Sequence, residues 1–177
     1  PDDEESNFNA ISYHLLSHIS IPEKNIHRIR GEFDPVEESF RYAEEIQSHL
    51  LLRKEKACFF DWVFLGVGPD GHTASLFPGH NLKNSKKLCE MTQHPKTGQL
   101  RITMTPLAIN NSRRITFHAI GKRKSEIVLK LATDPSAAKL FPAAQIRGEW
   151  FLDKEAASRL DLDLINKLGK KQIIAPK

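Results

Sequence analysis

The chain has 177 residues, 40% of them apolar and 27% charged, and a net charge of +4 at pH 7. That is enough for one domain with a real core, and no apolar run approaches the length needed to cross a bilayer. Lys and Arg are scattered in small groups (83–87, 113–114, 122–124, 170–171) with no interleaved aromatics. The pattern argues against a nucleic-acid binder and for a solvated surface, or for attraction of a small anion.

The opening Pro1-Asp2-Asp3-Glu4-Glu5 is acidic and lacks the pattern of a signal peptide. Two cysteines, Cys58 and Cys89, cannot build a disulfide framework or a zinc site, and read as reduced, buried thiols of a cytoplasmic protein. Ser6 is placed to cap a helix carrying Phe8, Ile11, Leu15, Leu16 and Ile19 on one face, ended by Pro22. Residues 26–30 alternate as a short strand. Asp34-Pro35 starts a second helix: Asp34 caps, Pro35 fits the first position and Glu37 completes a capping box. Val36, Phe40, Ala43 and Leu50 keep its period, and Arg53 and Lys54 suit its last turn.

The chain is organised around residues 62–79, WVFLGVGPDGHTASLFPG. The apolar start reads as a strand buried on both faces, the usual state in a parallel sheet. Glycines and Pro69 then force a tight turn holding Asp70 and His72, a compact acid–imidazole pair just past the strand's end. In open α/β sheets ligands bind beyond the carboxyl ends of the strands. Gly66, Gly68 and Gly71 also spell the dinucleotide fingerprint, with Glu90 at about the distance of a ribose-binding acid. That reading is rejected. Pro78-Gly79 leaves no room for the long helix it requires, and Pro69 and Asp70 occupy the pyrophosphate position.

Further on, residues 87–93 and 101–105 read as extended, and Pro106 opens a short helix. Residues 114–120 form a buried strand closed by Gly121, and 125–132 a helix broken by Asp134-Pro135. Residues 150–152 make a short strand, Asp153 caps a final helix, and the tail 169–177 is basic and loose. Strands alternating with helices predict an α/β fold with a mainly parallel sheet and helices on both faces, one domain over 1–177.

The residues leave several roles open. His72 fits a proton-transfer group and also a loop histidine that caps a carbonyl. Asp70 fits an imidazole-orienting acid, a hydroxyl ligand or a plain Asx-turn residue. N–H groups of Gly68 to Gly71 suit an anion nest. Lys124, in a glycine-initiated turn at a helix start, suits an anion ligand or a surface lysine. Arg101 suits a bidentate clamp or an exposed strand end. His118 reads as a satisfied core histidine, and Trp62, Trp150 and the phenylalanines as core. His72, His80 and His94 lack metal-ligand spacing, so no metal and no cofactor is expected.

The run LGVGPDGHTASLFPG (65–79) resembles the signature of the 6-phosphogluconolactonases, a group that includes the glucosamine-6-phosphate deaminases. Ser6-Asn7-Phe8, RITMT at 101–105, Gly121 to Lys124 and WFLD at 150–153 are similar in the same order. The resemblance implies a Rossmann-like three-layer sandwich and hydrolysis of 6-phospho-D-glucono-1,5-lactone to 6-phosphogluconate, in the pentose phosphate pathway. It implies His72 as the general base and Lys124 as a phosphate ligand. The alternative is a glucosamine-6-phosphate deaminase/isomerase. That branch carries a glutamate five residues after the histidine, where this chain has Phe77. The family's N-terminal βα units, with a Gly-Gly-Ser-Thr-Pro phosphate loop, are missing from this chain. It is therefore expected to be the C-terminal two thirds of such a domain, with its own missing N-terminal segment as a partner beside the phosphorylated sugar lactone. Alone it is expected to be poorly active or inactive, with a bared sheet edge.

Overall fold

The apolar run at 62–66 does form a strand, and two others join it side by side. The computed structural model describes residues 1–51, 59–80, 82 and 84–169. Strand β1 (Trp62–Gly66) pairs in parallel with β4 (Arg114–Ala119), and β4 with β5 (Glu149–Leu152). Between them in sequence, β2 (Cys89–Gln93) and β3 (Leu100–Met104) form a separate antiparallel pair, which the sequence did not suggest. The class is α/β with a mainly parallel sheet, as expected.

Parallel register sets Val63 beside Ile115 and Leu65 beside Phe117. These four face one side and bury against Ile127 and Val128 of helix α4 (Ser125–Thr133) and against Ile146, Leu152 and Ala156. Each fully buried side chain of this size contributes about 1.5–3 kcal/mol. Trp150 stacks on Phe117 at 4.2 Å.

The other side corrects an expectation. β1 is buried on one face only: Trp62 is 45% and Phe64 63% exposed. His118 is exposed there too, with Nε2 3.1 Å from Thr116 Oγ1 and its ring stacked on Phe151, so it is not a core histidine. Period-2 alternation was hidden because both faces of β1 carry large apolar side chains.

A second apolar cluster joins helix α2 (Pro35–Leu51) to the antiparallel pair through Ile46, Leu88 and Cys89. Burial pushes the Cys89 thiol up to about 12, so it is a packing residue rather than a nucleophile. Asp34 caps α2, its carboxylate accepting from the N–H groups of Val36 and Glu37. The expected face is right in part: Ala43 and Leu50 pack into this cluster, but Val36 and Phe40 do not. Glu38, Ser39 and Ile46 turn inward, while Val36 and Phe40 are exposed.

Helix α1 (Asn7–His14) is capped by Ser6 as anticipated, but it stops before Leu15, and Ile11, Leu15 and Ile19 lie exposed. Residues 26–30 are not a strand. They run along α2, held by side chains. Asp153 does not start the final helix: it caps a turn at Ala156, and α6 (Leu162–Gly169) is capped by Asp161. The expectations for Arg53, Lys54, Cys58, Lys83 and the tail beyond residue 169 lie outside the described residues.

Candidate functional site

Past β1 the chain folds back on itself in six residues. The Gly68 N–H donates to the His72 carbonyl at 2.8 Å and the Gly71 N–H to the Gly68 carbonyl at 2.9 Å. Thr73 Oγ1 donates to the Gly66 carbonyl at 2.8 Å, pinning the far side of the turn to the strand. The Ser75 N–H donates to Thr103 Oγ1 at 3.1 Å, which ties the next segment to β3. The Ala143 N–H donates to the Gly71 carbonyl at 3.0 Å. Thr73, Thr103 and Ala143 therefore hold the turn; sequence reading passed over all three, because none carries chemistry of its own.

Two glycines are needed for distinct reasons. Gly71 sits at φ +82° against Phe141, where a Cβ would lie 2.5 Å from a ring carbon. At Gly68 a Cβ would lie 2.2 Å from His72 Nδ1 and 2.5 Å from Asp70 Oδ1. The imidazole and the carboxylate thus lie across the bare face of Gly68. One expectation is corrected here. Both glycine N–H groups are spent inside the turn and Pro69 has none, so Gly68 and Gly71 do not present a row of amides to an anion. They shape the site by lacking a side chain.

His72 Nδ1 lies 2.6 Å from Asp70 Oδ1, and the His72 N–H donates to the same oxygen at 3.3 Å. Partial burial pushes the Asp70 carboxyl up, but the hydrogen bonds from the His72 ring and backbone outweigh it and hold Asp70 below the usual carboxylate range. An ionised carboxylate only accepts, so the contact with Asp70 places a proton on Nδ1. The His72 side chain is 30% exposed. Asp70 therefore does more than close an Asx turn: it fixes ring orientation and tautomer, the part a third group plays beside a catalytic base.

The lowered Asp70 value has a consequence in acid. An unfolded aspartate titrates at about 3.9, so the pair's stabilisation is complete above that pH and fades as pH falls through the lower folded value. The carboxylate is 44% exposed, so the contribution is below about 1 kcal/mol. The melting-temperature gap between the protein and Asp70→Asn should shrink below about pH 3.9; a gap that widens there would contradict the pairing.

The loop after β4 opens on the same edge, because β1, β4 and β5 are parallel. Gly121, at φ +86°, turns the chain into the 3-10 turn Lys122–Lys124, which runs into α4. The Gly121 N–H donates to both oxygens of Asp153, at 3.1 and 3.0 Å, so the end of β5 clamps this turn. Lys124 is half-buried at the head of α4, and among the described residues its ammonium makes no hydrogen bond or ion pair. Arg101 lies on β3, on the same strand face as Thr103 and so about 7 Å along from the link to Ser75. Its guanidinium is held by Gln99 Oε1, at 3.0 and 2.6 Å. No hydrogen bond joins His72, Lys124 and Arg101 directly among the described residues. The topology alone sets His72 and Lys124 at one edge.

Phe77 closes the floor. It is 1% exposed, and the rings of His72, His80 and His94 pack around it at 5.0, 5.6 and 5.0 Å. The position five residues after His72 is thus apolar and dry.

The chain is similar to known proteins in sequence and in fold. The family described as glucosamine-6-phosphate isomerases/6-phosphogluconolactonase matches residues 1–152. A 6-phosphogluconolactonase of Haemophilus influenzae is 40% identical over 165 residues, 90% of this chain and 69% of that protein. The human 6-phosphogluconolactonase is 36% identical over 90% of this chain, which spans 63% of its length. Among solved structures, 6-phosphogluconolactonase of Thermotoga maritima superposes with a TM-score of 0.70 at 30% identity, covering 85% of this chain and 66% of that one. A monomeric glucosamine-6-phosphate deaminase gives 0.71 at 25% identity, covering 89% and 68%. With a match over residues 1–152, a relative 40% identical across nine tenths of this chain, and the glycine-backed acid–imidazole turn at the strand edge, the chain belongs to the glucosamine-6-phosphate isomerase/6-phosphogluconolactonase family.

Proposed function

We propose that this chain carries the catalytic turn of a cytoplasmic 6-phosphogluconolactonase, within a single α/β domain, and that His72 is its general base. The single observation behind this reading is the 2.6 Å contact between His72 Nδ1 and Asp70, which supports a ring oriented by the carboxylate with Nε2 as its working nitrogen. In this mechanism Nε2 takes a proton from water as its oxygen adds to the lactone carbonyl. The ring C–O bond then breaks, and the imidazolium returns the proton to the leaving ring oxygen. The product is the open-chain acid, 6-phosphogluconate. Asp70 keeps its charge throughout and stabilises the imidazolium.

The phosphate of such a substrate needs cations some distance from the carbonyl. Lys124 serves at the head of α4, where the helix dipole favours an anion. Arg101 is the second candidate, supplying its guanidinium from β3. A charge-assisted contact of this kind is worth about 1.5–3 kcal/mol. Lys124→Ala is thus expected to raise KM for the lactone by about 10- to 100-fold with kcat changed far less, measured by initial rates over spontaneous hydrolysis. An unchanged KM would remove Lys124 from the phosphate site.

The deaminase reading is disfavoured by Phe77. A buried phenyl ring cannot carry the proton that aldose–ketose chemistry moves. The decisive comparison is between two substrates. Acid release from 6-phospho-D-glucono-1,5-lactone above the spontaneous rate, with no ammonia from glucosamine 6-phosphate, is the expected result. Ammonia release would reverse the assignment.

A further inference from the structure

A second group of ligating side chains lies outside this site, where α2 meets the segment 26–30. His27, Glu45 and His49 each offer one donor atom, and the three lie within 4.8 Å of one another. Glu45 and His49 stand four residues apart on α2 and so share one face. His27 arrives from the neighbouring segment, 2.7 Å from Glu45 Oε1, with its ring 4.2 Å from that of His49. From these residues we infer a binding site for a divalent transition-metal ion of the zinc class, formed by two imidazoles and one carboxylate oxygen.

The backbone that presents His27 is already tied down. Tyr42 Oη donates to the His27 carbonyl at 3.2 Å, Arg41 to the Arg28 carbonyl at 3.1 Å, and the Arg30 N–H to Glu38 Oε1 at 2.7 Å. The third ligand is therefore delivered by structure and need not be recruited from a free loop. Arg41 engages Glu45 Oε2 and leaves Oε1 to face the two rings. That favours one monodentate carboxylate oxygen beside two nitrogens. Imidazole nitrogen suits zinc, nickel, copper or cobalt; magnesium and calcium prefer sites built from oxygen alone.

Binding needs modest rearrangement. Ligands about 2.0–2.2 Å from one ion stand roughly 3–3.5 Å apart. The His27–Glu45 pair therefore opens slightly, and the partly exposed His49 ring swings in. As the ion takes Nδ1 of His27, the ring's proton moves to Nε2 through solvent, and the imidazole stays neutral. Three protein donors leave a further position for water. The ion would staple residues 26–30 to α2, adding to the hydrogen bonds that already join them. Sequence spacing gave no hint of it, because His27 lies 18 residues from Glu45.

Titration of the protein with ZnCl2 at pH 7.5, followed by calorimetry and by melting temperature, tests the site. One ion should bind per chain and raise the melting temperature, while MgCl2 should do neither. His49→Ala and His27→Ala should each weaken zinc binding at least tenfold. Both rings are exposed, and circular dichroism of the metal-free variants checks that they fold. Co2+ gives a readout independent of stability, its visible absorption reporting nitrogen ligation that either variant should lose. No zinc binding by the unaltered protein, or binding unchanged in both variants, would overturn the inference.

Discussion

His72→Ala should lower kcat/KM for the lactone by about 10²–10⁴-fold, the usual worth of a positioned general base. The informative partner to this variant is Gly68→Ala, which leaves Asp70 and His72 in the sequence. Gly68 is not in the left-handed region, so alanine meets no backbone penalty there. Its Cβ, however, would sit 2.2 Å from His72 Nδ1 and 2.5 Å from Asp70 Oδ1. The ring, partly open to solvent, can swing outward at little cost in stability. Doing so breaks its bond to Asp70 and moves Nε2 away from the attacking water. Gly68→Ala is therefore expected to fall by about 10²-fold or more in kcat/KM while its melting temperature moves by less than about 3 °C. Initial rates corrected for spontaneous hydrolysis, with thermal denaturation alongside, measure both. Full activity in Gly68→Ala would show that the ring's position over the glycine is irrelevant to turnover.

Gly71→Ala should act on stability instead. At φ +82° an alanine costs about 1–2 kcal/mol from backbone sterics. The added Cβ would also lie 2.5, 2.8 and 2.9 Å from the Cδ1, Cγ and Cβ of Phe141. Contact with Phe141 Cβ is the telling one, since no side-chain rotation removes it. Overpacking of this kind costs about 1–3 kcal/mol more, for a total of about 2–5 kcal/mol. In a chain of this size that is a fall of about 5–15 °C in melting temperature. Gly79→Ala is the matched control: its φ of +87° carries the same backbone cost, but nothing lies within 4 Å of the added Cβ. Equal losses in the two variants would mean that Phe141 yields freely and that the packing argument is wrong.

Much of the site was legible from residues 62–79. A short apolar run followed by glycines, an acid and a histidine announces a strand end with ligand chemistry, and β1 and its turn occupy that place. Caps were equally readable at Ser6 and Asp34, because a cap is a local bond between neighbours in sequence. Errors arose wherever burial depended on distant partners. Trp62 and Phe64 looked like core and lie on an open face, and Val36 and Phe40 were assigned to the wrong side of α2. Residues 26–30 alternate like a strand but find only side-chain bonds to α2.

By itself the sequence determined the strand and turn at 62–72, the glycines that the tight turns at 71 and 121 demand, and the pairing of Asp70 with His72, two residues apart. These depend on backbone sterics and short-range hydrogen bonds, which a local stretch of chain specifies. Only the tertiary structure decided that the turns after β1 and β4 open on one edge, that Phe141 and Ala143 brace the Asp70–His72 turn, and that His27 meets Glu45 and His49. Those contacts join segments 18 to some 70 residues apart. No local preference encodes such separations; they follow from how parallel strands align and how helices settle on them.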